Sequence, residues 1–212
     1  MDAKRMRLIG ATAVLAAVAA SAGCGQYVRQ GRSPSVIAIM NLEAASGAQA
    51  GAFSGTLDSD VITIVNRTVG GQQLAIPTVF NDVGRVTLRL VLKDQGTPGA
   101  TAVPTPVNQV TINRYRVAYT RSDGRNTPGV DVPFAFDSAT TFTLPADGAA
   151  TQTFEIVRHT AKEEAPLLAL ASSSVIISTI AQVTFYGQDL AGNAISVSGN
   201  IGILFGNFGD PQ

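Results

Sequence analysis

The sequence predicts an all-β fold, an antiparallel β-sandwich. Apolar residues alternate with polar ones in several short runs, which is the period-2 pattern of strands that bury one face. Turn-forming glycine, proline, asparagine and aspartate residues separate these runs, and almost no segment has the 3.6-residue period of an amphipathic helix. A chain with several short strands and few helices is typical of two sheets packed face to face.

The clearest strand lies around Val86–Leu92, where apolar side chains at even positions alternate with Thr87 and Arg89. The same alternation predicts further strands in four other places. These are Val132 to Phe136, Thr153 to Ile156, Ala181 to Tyr186, and Ile195 to Phe205.

One predicted strand changes parity in its middle. Val110 and Ile112 occupy even positions, whereas the apolar residues of 115–119 occupy odd ones. Because a one-residue slip turns every side chain to the other face, a β-bulge near Asn113 and Arg114 would keep both halves buried. The alternative is that the strand ends there. In either case Tyr115 and Tyr119, at opposite ends of the second half, are expected in the core.

The best candidate for a helix lies between two strands near the C-terminus. Thr160 and Glu163 have the spacing of a capping box, and Pro166 limits the helix to about one turn. We expect a short helix at 160–165 that bridges two sheets. The proline-dense segment 97–106 is expected to be a loop.

The N-terminus has the organisation of an export signal. Three basic residues, Lys4, Arg5 and Arg7, precede an apolar run from Leu8 to Ala20. Small residues then lead to Cys24, the single cysteine, in the order Ser-Ala-Gly-Cys. This arrangement resembles the lipobox of bacterial lipoproteins. The resemblance implies that Cys24 becomes the first residue and carries acyl chains such as palmitate, which anchor it in a membrane.

Two other interpretations of this segment stay open. The apolar run is shorter than the about 20 residues that cross a bilayer, so a retained anchor helix is disfavoured. Plain secretion with cleavage after Ala20-Ser21-Ala22 is the other alternative. Gly25 follows the cysteine, and resemblance to known sorting rules then favours the outer membrane over the inner one.

The chain is therefore expected to have three parts: a removed signal peptide at 1–23, a lipidated cysteine and polar tether at 24–35, and one β-sandwich domain at 36–212. Removal of the signal leaves 12 of the 15 basic residues and 14 of the 15 acidic ones, a net charge near −2. Nucleic acid is not an expected partner, because binding it requires a basic face.

The C-terminal part resembles the final hairpin of bacterial immunoglobulin-like domains. Val183–Gly187 would enter the hairpin, Asp189-Leu-Ala-Gly-Asn193 would form its tip, and Ile195–Val197 would leave it. The resemblance implies an antiparallel immunoglobulin-like β-sandwich, although tryptophan and a cysteine pair are absent. The whole chain also resembles a group of uncharacterised bacterial lipoproteins. This resemblance implies a cellular location and a fold but no particular activity.

No catalytic residue is predicted. His159 is the single histidine, and Ser172, Ser173 or Ser174 could in principle serve as its nucleophile, but no G-x-S-x-G elbow is present. One histidine and one lipidated cysteine cannot build a zinc site, and no phosphate-binding glycine loop occurs. We expect no cofactor and no enzymatic activity.

Oxygen-rich turns are the remaining candidates for a site. Calcium binds six to eight oxygen ligands from loops of this kind. Asp and Asn residues in turns also bond their own backbone, which is the alternative for each of them. The candidates are Asp58, Asp60, Asp82, Asp189 and Asn193.

Two functional classes follow from these features. The favoured one is a lipid-anchored, non-catalytic binding or scaffold module of the cell envelope, which offers loops or a sheet edge to an envelope protein. The alternative is an envelope hydrolase or glycan-binding accessory that acts through loop carboxylates. The nearest cluster of such carboxylates is Glu155, Glu163 and Glu164.

Overall fold

The computed structural model describes residues 31–209, and in them the expected all-β class is confirmed. Most of the residues lie in strands, and the helical segments are short. The strands are β1 (Ser35–Ala45), β2 (Thr56–Asp60), β3 (Thr63–Val69), β4 (Gln72–Thr78), β5 (Asp82–Leu92), β6 (Gly96–Thr97), β7 (Ala100–Thr101), β8 (Val110–Thr120), β9 (Phe136–Leu144), β10 (Ala149–Val157), β11 (Ile177–Asp189) and β12 (Ala194–Gly206).

The strands form two large sheets and two isolated hairpins. One sheet has the order β2-β12-β11-β8-β9 and the other β1-β5-β10, while β3–β4 and β6–β7 pair separately. All pairings are antiparallel except that of β2 with β12, which is parallel. These two strands are far apart in sequence, so no hairpin imposes an antiparallel direction on them. The short β6–β7 ladder, Gly96–Thr101, overlaps the segment 97–106, which was expected to be a loop throughout.

The inner faces of the two large sheets share one core. The Tyr115 ring of β8 lies edge-on to Phe154 of β10, with centroids 5.2 Å apart, and Phe154 meets Phe185 of β11 at the same distance. The Tyr119 hydroxyl donates a hydrogen bond of 2.6 Å to the Ile156 carbonyl of the opposite sheet. Both tyrosines are therefore core residues, as expected.

The predicted bulge is present in β8. The pairing of β8 with both of its neighbours passes from Ile112 to Arg114 and skips Asn113. The extra residue reverses the parity, so that Val110 and Ile112 before it and Tyr115 after it all reach the core. The alternative, that the strand ends at this point, is wrong.

The strand predicted from Val132 to Phe136 is wrong for most of its length. Strand β9 begins only at Phe136, and Phe134 is 59% exposed. The chain turns at Gly129, whose φ of +75° suits glycine and whose N–H bonds the Val132 carbonyl at 2.8 Å. Pro133 then lacks the N–H that a ladder needs.

The expected short helix connects the two sheets. Helix α1 (His159–Lys162) and a 3-10 segment, Leu167–Ser172, join β10 of one sheet to β11 of the other. The capping-box prediction is wrong, because the N-cap is Arg158 and Thr160 lies inside the first turn. The helix begins one residue before the predicted segment.

Candidate functional site

The hairpin of β3 and β4, residues 63–78, is exposed over most of its length, and we call it the arm. Its two-residue turn is Gly70-Gly71, with φ angles of +61° and +83°, the combination that a type I′ turn requires. Within residues 31–209, β3 and β4 pair only with each other. A lone two-stranded hairpin is marginal in water, so the arm depends on how its ends are held.

The arm has one apolar face. Side chains alternate along each strand, and the register places Val65, Val69, Leu74 and Ile76 on the same side as Arg67. Val69 is 55% exposed and Leu74 45% exposed. Arg67 is the single charged residue between positions 63 and 78. The arm thus presents an apolar, almost uncharged surface to its surroundings.

A buried lysine lies where the arm joins the body. Lys162 of α1 is 2% exposed, and its Nζ donates hydrogen bonds to Asp82 Oδ1 at 2.9 Å and to the Asp60 carbonyl at 2.7 Å. Asp60 precedes the arm and Asp82 follows it. One ammonium group therefore ties both ends of the arm together.

The Asp82 carboxylate is fully buried and has two further partners. Ser59 Oγ donates to Oδ2 at 2.5 Å, and the Gly47 N–H donates to Oδ1 at 2.9 Å. Burial raises the pKa of the Asp82 carboxyl, and the charge of Lys162 and the bond from Ser59 oppose that rise. We call Lys162, Asp82, Asp60 and Ser59 the lysine clamp.

The side chain of Asp60 extends the lysine clamp to two more segments. Its Oδ2 accepts a 2.8 Å bond from the Thr63 hydroxyl, at the first residue of the arm. Its Oδ1 accepts a 3.1 Å bond from the Phe208 N–H, beyond the end of β12. The arm is thus attached to the C-terminal segment as well as to α1.

The lysine clamp contains groups that act as nucleophiles elsewhere, but its geometry does not favour catalysis. Lys162, Ser59 and Asp82 expose 2%, 0% and 0% of their surfaces, so a substrate has no surface to contact. A buried ion pair is weak evidence for stability, but breaking one is costly. The role that the contacts support is to fix the direction of the arm.

His159 contacts Asn81, three residues beyond the arm. Its backbone N–H donates to Asn81 Oδ1 at 2.6 Å, and its Nδ1 lies 2.9 Å from the same atom. Asn81 directly precedes β5, so this contact holds the second end of the arm. The serine proposed as a partner at position 172 belongs to the following 3-10 segment.

The five calcium candidates fall at two ends of the fold. Asp60 and Asp82 lie together but around an ammonium group, and Asp58, between the buried Leu57 and Ser59, is exposed. At the other end, Asp189 Oδ1 accepts bonds from the Ala191 and Asn193 N–H groups at 3.0 and 2.8 Å. Turn chemistry is therefore what the structure shows at Asp189 and Asn193. No group of three metal-ligating side chains occurs in residues 31–209.

A small cavity of about 140 Å³ lies next to α1. Phe134, Phe136, Arg158 and Glu164 contribute to its wall. Glu155, from the same predicted carboxylate cluster, instead pairs with Arg158 at 3.3 Å. The structure therefore places one glutamate of the cluster, not two, at this cavity.

The arm and the start of β1 lie at opposite ends of the body. Ser33 lies beside Asp189, next to the start of β12, whereas Gly206, at the other end of β12, accepts a 2.9 Å bond from the Val61 N–H beside the arm. Strand β12 has 13 residues, which span about 40 Å. The chain enters the body at one end and extends the arm from the other.

Comparison with protein-family models, curated proteins and solved structures finds no match for this chain. Within the part of the chain that the structure describes, no helix is long and apolar enough to span a membrane. The predicted signal peptide and Cys24 lie outside the described residues.

Two features of this site were missed from the sequence. The pair Gly70-Gly71 between two apolar runs is a hairpin signal, and it could have revealed the arm. Lys162 had no comparable signal, because a lysine in a charged stretch is ordinarily exposed. The two residues that it contacts, Asp82 and Asp60, are 80 and 102 residues away in sequence.

Proposed function

We propose that this chain is a lipid-anchored protein of the cell envelope that acts as a non-catalytic binding or scaffold module. Cys24 carries the lipid, the β-rich body has immunoglobulin-like architecture, and the arm binds the partner. The observation that carries this proposal is an exposed apolar hairpin whose two ends are held by a buried ion pair.

The position of the arm supports this role. The chain enters the body near Ser33 and the arm emerges beyond Asp60, at the opposite end of the body. Exposed apolar patches on soluble proteins are typical of interaction sites. Holding the ends of the arm lowers the conformational entropy that binding would otherwise cost.

The anchor is tested by Cys24→Ser. We expect this variant to move from the membrane fraction to the soluble fraction, because the acyl chains supply the membrane affinity. Mass spectrometry of the wild-type mature N-terminus should show an acylated Cys24. An unmodified N-terminus that begins elsewhere would contradict the anchor.

The arm is tested by crosslinking in intact envelopes. Residues 64–77 are replaced with a short Gly-Ser link between Thr63 and Thr78, which face each other across the hairpin. We expect this variant to form at most a tenth of the crosslinked adducts that the wild-type chain forms. Its melting temperature should stay unchanged, because residues 64–77 add no buried side chain. The matched control shortens the β6–β7 hairpin, Gly96–Thr101, and should leave the adducts intact. Equal adducts from all three chains would exclude the arm as the binding element.

The cavity beside α1 is the observation that favours the alternative, a glycan-binding accessory or hydrolase. Aromatic rings and a carboxylate suit a sugar, but glycoside cleavage needs a pair of carboxyl groups and this cavity has Glu164 alone. Glu164→Gln should therefore leave glycoside hydrolysis in an assay of this chain unchanged. We favour the binding module.

A further inference from the structure

The cavity beside α1 has two aromatic rings that the surrounding structure holds in place. The Phe134 ring is 59% exposed but lies directly on Gly129, where a Cβ atom would come within 2.5 Å of the ring. The Phe136 ring is held from two sides, by the Arg158 guanidinium stacked at 3.9 Å and by the Tyr115 ring, which is edge-on at 6.3 Å. Both rings line the cavity. The cavity therefore has a preformed aromatic wall, of the kind that attracts cations.

The charges around the cavity are unequal. Arg158 and Glu164 are the charged residues that line it. The Arg158 guanidinium is already engaged, because it donates to Glu155 Oε2 at 3.3 Å and to the Asp137 carbonyl at 3.1 Å. The Glu164 carboxylate is exposed and, over the described range 31–209, makes no hydrogen bond or ion pair. An uncompensated negative charge therefore remains at the cavity.

The volume of the cavity restricts what can enter it. A protein cavity of about 150 Å³ holds a ligand of about six heavy atoms, and this one has about 140 Å³. A single amino-acid side chain is of this size, whereas pockets for larger ligands span about 300–1,000 Å³. A glycan of several rings would extend beyond the cavity. Size and charge together favour one cationic side chain.

We propose that this cavity binds the alkylammonium end of a lysine side chain from a partner protein. The apolar stem of the lysine packs against Phe134 and Phe136. The ammonium group donates to the Glu164 carboxylate and to the hydroxyl of Thr160, which also lines the cavity. A quaternary ammonium group has no N–H to donate and is typically bound by a cage of aromatic rings, so the two acceptors favour a primary ammonium.

The location of the cavity fits such a partner. Helix α1 supplies Thr160 to the wall of the cavity and Lys162 to the base of the arm. The cavity and the arm therefore lie at the same end of the body, and one partner can contact both. The cavity is nevertheless a second site, which goes beyond the proposed function of the arm and is tested without it.

Titration of the full chain carrying Cys24→Ser with N-acetyl-lysine methylamide, followed by two-dimensional NMR, tests the site. We expect saturable shifts around the cavity with a Kd of about 1 mM, which is within the limit for a side chain of about five heavy atoms. N-acetyl-norleucine methylamide has an apolar side chain of the same length without the ammonium group, and we expect it to bind about fivefold more weakly. Equal affinity for the two compounds, or no saturable shift, would overturn the proposal.

Two glutamate variants assign the binding to the cavity. Glu164→Gln keeps the size of the side chain but removes its charge, and should weaken lysine binding about fivefold. Glu163→Gln is the matched control, because Glu163 is exposed but does not line the cavity, and it should leave the affinity unchanged. Phe134→Ala should weaken the binding of both compounds, because it removes one aromatic wall, and melting temperatures confirm that each variant is folded. The proposal is wrong if the two glutamate variants behave alike, or if the trimethyl-lysine compound binds more tightly than lysine.

Discussion

Lys162→Met is expected to lower the free energy of unfolding by about 3–5 kcal/mol, the cost of breaking a buried ion pair by removing one partner. The Asp82 carboxylate would stay fully buried with Ser59 and Gly47 as donors but without a counter-charge. Urea denaturation measures the loss. Amide exchange should show faster exchange in the arm.

Two further variants distinguish the contribution of the lysine clamp to stability from that of an exposed ion pair. Lys162→Met combined with Asp82→Asn removes both charges and retains hydrogen-bonding groups, so we expect it to recover much of the stability. Arg116→Met breaks the exposed pair with Asp137 and should cost less than about 1 kcal/mol. If Lys162→Met and Arg116→Met cost the same, the buried pair does not support the fold as we describe.

Leu90→Ala is expected to destabilise the protein by about 2–5 kcal/mol, because it leaves a cavity in a core position of β5. Leu90 is 3% exposed and belongs to the core shared by both sheets. Arg89→Ala, one residue earlier and facing solvent, should cost well under about 1 kcal/mol. Thermal or urea denaturation distinguishes the two, and equal losses would contradict the assigned faces of β5.

Alternation predicted the parts of the fold in which one face of a strand is buried. The even residues of β5 and the parity change in β8 each reflect a single requirement, that apolar side chains reach one core. For the segment before β9, alternation predicted the wrong conformation. Its spacing is that of a strand, but the turn at Gly129 and the missing donor of Pro133 decide its conformation.

Part of the candidate site was also foreseeable. Asp60 and Asp82 were two of the candidate calcium ligands, with bonding in turns as the alternative, and in the structure the Asp60 carbonyl and the Asp82 carboxylate both contact one ammonium group. That cation is the ammonium of Lys162, which arrives from a distant helix through tertiary packing that no local pattern encodes. Sequence reasoning thus identified the oxygen-bearing residues but not the group that they surround.

The lysine clamp also has a consequence for how this protein can vary. Because one ammonium group fixes Asp60 and Asp82, the body fixes where the arm begins and ends, whatever lies between them. Insertions, deletions or a wholly different hairpin at 64–77 would then leave the two large sheets unchanged. The body would serve as a constant carrier of interchangeable arms, so that binding specificity could diversify rapidly while the scaffold stays the same.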